Sequence, residues 1–124
     1  MTNTINTEKA PAAIGPYSQA KEINGMLFCS GQIGINPATG DLAEGGIEAQ
    51  TEQACKNVGE ILRKAGFDYN DVIKTVCFLS DIGNFKAFNE IYAKYFISKP
   101  ARSCVAVREI PKSALCEIEV IAAK

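Results

Sequence analysis

Apolar and polar positions along this chain follow a period of two, then a helical period, and the two then alternate. SQAKEI and MLFCSGQIGI flank Asn24-Gly25, a pair suited to the positive φ angles of a tight primed turn, and together they predict a β-hairpin. NPATGD, residues 36 to 41, is punctuated by proline and glycine and reads as a loop. From about Gly46 to Ala65 the period lengthens: Ala54, Val58, Ile61, Leu62 and Ala65 share one stripe, while Gln53, Lys56, Asn57, Glu60 and Lys64 point elsewhere. Gly66 stands where it would stop that helix. Residues 71 to 80, DVIKTVCFLS, predict a strand with apolar groups on both faces. A second helix is predicted from Asn84, an expected N-cap, with Phe85, Phe88, Tyr92, Tyr95 and Phe96 along one side. Pro100 ends it, and PARSCVAV (100 to 107) and LCEIEVIAA (115 to 123) complete the chain as strands.

The expected order is ββαβαββ, an α+β pattern in a single domain spanning 1–124. Two helices cover one face of such a sheet. Residues 72 to 79, 103 to 107 and 115 to 121 nevertheless carry apolar groups in both parities, and no third helix is available to cover the second face. Self-association is therefore expected, with the uncovered faces of several copies packed together.

Composition narrows the chemistry. The chain has no histidine, so Ser-His and Cys-His couples and imidazole metal ligands are absent. Cys29, Cys55, Cys77, Cys104 and Cys116 are widely spaced with no C-x-x-C pair, and read as reduced thiols acting as small core residues. No metal and no cofactor is expected. A formal net charge of −1 without a basic run offers no footprint for nucleic acid. No apolar run reaches the ~18 residues of a membrane span, and MTNTINTEKAPAAIG lacks the features of a secretory signal, so a cytoplasmic protein is expected.

Against this background the polar groups inside strands stand out. Arg102 interrupts PARSCVAV, and a buried, unpaired guanidinium costs several kcal/mol. It is therefore exposed, or paired with Glu117 or Glu119 on a solvated face, or its fork awaits the carboxylate of a small acid. Glu117 and Glu119 share one face of the last strand and read either as solvated carboxylates or as an acid/base pair. Cys104 shares Arg102's face, where the positive charge favours its thiolate, although a packed or pocket-lining thiol is the plainer reading. Ser30-Gly31 is a weak signal: Gly31 marks a bulge or a place where a ligand approaches the backbone closely. Tyr17 and Asn89 carry little signal alone.

The segments APAAIGPYSQA, SGQIGINPATG, KTVCFLSDIGNFKAFNEIYAKYF, PARSCVAV and EIEVIA together resemble the Rid family, the reactive intermediate deaminases formerly called YjgF proteins. The likeness runs almost end to end and is similar to the RidA branch of 2-iminobutanoate/2-iminopropanoate deaminases. It implies a chorismate-mutase-like fold with two helices on one face of a mixed sheet. It also implies a homotrimer with pockets at the subunit interfaces and small 2-imino or 2-keto acids as ligands. By motif, Arg102 matches the carboxylate-binding arginine and Glu117 the glutamate that positions or activates water. Tyr17, Ser30 and Gly31 match pocket positions, Cys104 a position bordering the ligand, and Asn89 a recurring asparagine. FISK before Pro100 is a short connection beside several relatives and bears on the pocket's rim. The resemblance implies hydrolysis of 2-imino acids. A small-acid-sensing or partner-binding regulator without turnover is the alternative, and an RNA-cleaving translation inhibitor ranks third.

Overall fold

Asn24 and Gly25 both adopt positive φ, 50° and 79°, and reverse the chain between β2 (Ala20–Ile23) and β3 (Met26–Cys29). The computed structural model describes residues 1–124. The remaining elements are β1 (Asn3–Ile5), β4 (Gln32–Ile33), α1 (Gly46–Lys64), β5 (Val72–Leu79), α2 (Phe85–Tyr95), β6 (Ala101–Ala106) and β7 (Cys116–Ala123). The strands form one sheet in the order β1-β2-β3-β7-β5-β6, with β4 also pairing β7. Every pairing is antiparallel except β5 with β6, which are parallel and joined through α2. The expected α+β architecture is borne out, with two helices packed on a mixed sheet.

One face of the sheet is the core. Cys116, Ile118, Val120 and Ala122 of β7 and Thr75, Cys77 and Leu79 of β5 are buried there. Ala54, Cys55, Val58, Ile61 and Leu62 of α1 pack against them, with Phe88 and Tyr92 of α2 and Phe96 just beyond it. Each fully buried Leu, Ile or Phe contributes about 1.5–3 kcal/mol, so this layer dominates the stability. The opposite face has no helix. Phe28 and Val105 lie on it 43% and 46% exposed, and Val76, Phe78 and Ile121 are half-buried among them. The apolar second face expected from strand parity is therefore present and uncovered.

Helix α1 ends as its sequence requires. Gly66 has φ +83°, its N–H donates to the Arg63 carbonyl, and the Phe67 N–H donates to the Leu62 carbonyl at 2.8 Å. That paired bonding is a Schellman motif, and Phe67 and Leu62 are both buried beneath it.

Four expectations are corrected. A first strand, β1, precedes the hairpin and pairs with β2. MLFCSGQIGI is two strands, because Ser30 turns away from β7 to bond Gln19 and Ser18 while β4 rejoins β7 at Ile118. Asn84 makes no side-chain cap; Asp81 accepts from the Gly83 N–H instead, capping a 3₁₀ turn that leads into α2. Asn57 does not face solvent. It is buried, and its amide donates to the carbonyls of Ile33 and Ile35, fastening α1 to the end of β4 and the segment after it.

Candidate active site

Arg102 lies on β6, the edge strand, in register with Thr75 of β5, whose other neighbour is Val120 of β7. Thr75 and Val120 are both buried under the helices, so Arg102 emerges on the helical side of the sheet. Its Nη1 donates to Asn89 Oδ1 at 2.8 Å. Its Cζ stands 4.9 Å from the Tyr92 ring centroid and 5.6 Å from that of Phe85. No carboxylate pairs with it: the one ion pair in the chain is Arg63–Glu60. The salt bridge to Glu117 or Glu119 considered from sequence does not form. Both glutamates stand on the opposite face, as the Phe78↔Glu117 and Val76↔Glu119 pairings require.

Cys104, two residues along β6, faces the same side as Arg102 and is partly exposed. Burial pushes its thiol above the ordinary cysteine range, and the opposing pull of Arg102 is the smaller influence. Burial thus works against a thiolate at this position. All five cysteines are free and the other four are buried. No group of three or more His, Cys, Asp or Glu side chains is placed to hold a metal ion.

Glu117 belongs to a second cluster. It lines a depression with Tyr17, Gly31, Ile33, Pro111 and Lys112. Its side chain lies directly over the Gly31 backbone: a Cβ at position 31 would come within 2.7 Å of the Glu117 carboxyl carbon. Within the chain, the group that comes close to the Gly31 backbone is this glutamate. Partial burial raises the Glu117 pKa above the ordinary glutamate value, and the charge of Glu119 adds to the rise. Tyr17 is 51% exposed and lines the same depression. Ser30 commits its hydroxyl to the Ser18 carbonyl at 2.6 Å, so it braces the wall without presenting a free donor.

The sheet therefore separates the sequence candidates into two groups: Arg102, Asn89 and Cys104 toward the helices, Tyr17, Gly31 and Glu117 toward the open face. One group offers a cationic fork suited to a carboxylate, the other a carboxylate with an elevated proton affinity over the Gly31 backbone. Sequence reasoning missed three residues that shape them. Gln19 is buried and its amide donates to the carbonyls of Thr7 and Pro11 while accepting from the Thr7 N–H, which folds the N-terminal segment over the Tyr17 side. Tyr92 and Phe85 were legible only as part of an apolar helix stripe, although their rings border Arg102.

The profile of the family described as Endoribonuclease L-PSP matches residues 7–124. The chain belongs to the endoribonuclease L-PSP family. Within it, the 2-iminobutanoate/2-iminopropanoate deaminase of Homo sapiens is 49% identical over 119 residues, covering 95% of this chain and 87% of the human one. The solved structure of YyfA from Yersinia pestis, a protein of the Rid family, superposes with a TM-score of 0.96 at 51% identity over 100% of both chains. E. coli TdcF with bound serine superposes at 0.94, with 38% identity over 98% of each chain. The Rid resemblance read from PARS and EIE is borne out by these matches.

Proposed function

We propose that the protein hydrolyses reactive 2-imino acids such as 2-iminopropanoate and 2-iminobutanoate to 2-keto acids and ammonia. The observation that carries this reading is the state of Arg102: a guanidinium held by a neutral amide and aromatic rings, with no carboxylate in its own chain. Such a fork keeps its charge for an acid from outside. The deaminase names of relatives at about half identity and the serine bound to TdcF, itself a small carboxylate-bearing molecule, support the same substrate class.

The chemistry suits the residues present. An iminium carbon is already electrophilic, so water adds to it once Glu117 accepts a proton. The carbinolamine then receives that proton on nitrogen; the C–N bond breaks as the hydroxyl oxygen forms the C=O bond, and the hydroxyl proton passes through Glu117 to the departing ammonia, leaving the keto acid and ammonium. The raised pKa of Glu117 brings its proton affinity toward neutrality, where a general base is most effective. Arg102 and Glu117 face opposite sides of one sheet, so the site draws on two copies. The edge strand β6 of one lies against the open face of the next, in a homotrimer that also covers Phe28 and Val105. Five free thiols support a reducing, cytoplasmic setting.

The test couples a serine dehydratase, which releases the imine, to this protein and follows imine decay. Arg102→Ala is expected to abolish the acceleration while the oligomer elutes unchanged. Full activity in that variant overturns the arginine assignment, and saturable 2-ketobutanoate binding by the unmodified protein without turnover makes it a sensor instead.

A further inference from the structure

Arg102 sits on an edge strand, where a long flexible side chain ordinarily samples many rotamers. Three neighbours restrict it here. The Asn89 amide oxygen takes one N–H, and the Phe85 and Tyr92 rings border the guanidinium. The Nη1–Asn89 bond is the guanidinium's one hydrogen bond within the chain, which leaves the Nε and Nη2 donors uncommitted.

Tyr92 is the nearer of the two rings and the better anchored. Its hydroxyl is bonded to Thr75 Oγ1 at 2.7 Å, and Thr75 is the residue in register with Arg102. Its ring is stacked on Phe96 at 4.5 Å and on Phe88 at 5.7 Å. Tyr92 is 8% exposed and Thr75 fully buried, so the ring is held from beneath by the packed core. A carboxylate in place of the ring would hold the fork as firmly but cancel its charge; an aromatic face fixes the position and leaves the charge available.

We propose that Tyr92 is a positioning residue for the carboxylate clamp, its ring forming a floor beneath Arg102 that Thr75 anchors through the tyrosine hydroxyl. The floor acts on how well the acid is gripped, not on the reaction at the imine carbon. The inference rests on the proposed role of Arg102.

The test measures KM and kcat for dehydratase-generated 2-iminopropanoate, and the Kd for 2-ketobutanoate, in Tyr92→Leu, Tyr92→Phe, Thr75→Val and Arg102→Ala, with circular dichroism and elution volume recorded for each. Tyr92→Leu is expected to raise KM and Kd roughly tenfold while kcat stays within about twofold. Tyr92→Phe keeps the ring and loses only the anchor, so it recovers most of that loss and leaves KM about threefold above the unmodified protein. Thr75→Val, which changes little volume, matches it and decides the matter if Tyr92→Leu does not fold. A fall in kcat at constant KM, or unchanged KM and Kd in folded Thr75→Val and Tyr92→Phe, overturns the proposal. If Arg102→Ala is impaired while these variants are normal, only the positioning role fails. If Arg102→Ala itself binds and turns over normally, the clamp reading fails first.

Discussion

Glu117 is confined by the Gly31 backbone beneath it and by Glu119 two residues along the same face. Its carboxyl holds a proton more tightly than an ordinary glutamate, chiefly through partial burial. If the carboxylate form takes the proton from water, kcat falls as pH drops through a midpoint above the ordinary glutamate value. Glu117→Gln removes that limb along with most of the turnover while 2-ketobutanoate still binds, as a kcat–pH profile and calorimetry would show. A raised carboxyl pKa makes folding more favourable as pH falls from above the native value toward the unfolded one, so this group's protonation does not unfold the chain along that limb. Arg102 and Glu117 were legible as residues because charged groups inside apolar strands stand out. Their relation was not, since it depends on the registers joining β6, β5 and β7, which are set by contacts far apart in sequence.

Elements whose ends are fixed locally were read closely. The Asn24-Gly25 turn formed, and α1 runs from Gly46 to Lys64 with Gly66 closing it. Space around the Gly66 Cβ position is open, so the cost of Gly66→Ala is the left-handed backbone alone, about 1 kcal/mol. Thermal unfolding should show a Tm lower by roughly 3–5 °C, with deaminase activity retained. Elements fixed by distant partners were misread. Nothing in NTI signals β1, which exists because β2 offers it an edge. The break at Ser30 was hidden by an apolar alternation that continues through it, and Asn57 looked solvent-facing until the carbonyls of Ile33 and Ile35 gave its amide a buried use.

At the scale of the whole molecule, parity alone revealed that the sheet has a second apolar face, and the structure leaves that face bare. Phe28 lies on it beside Ile121 and away from the Glu117 end of β7. Phe28→Glu should place an unpaired charge in the proposed contact, costing several kcal/mol of association. Size-exclusion chromatography should then show a smaller species whose circular dichroism is unchanged, and unaltered elution would mean that the face is not the contact. The face assignments of Arg102 and Glu117 also carry a consequence for the living cell. If the acid clamp and the base come from different copies as proposed, a solitary polypeptide is mute as a catalyst until it meets its own kind. Output would then climb more steeply than synthesis when copies are scarce, and detoxifying capacity would begin at a threshold of abundance.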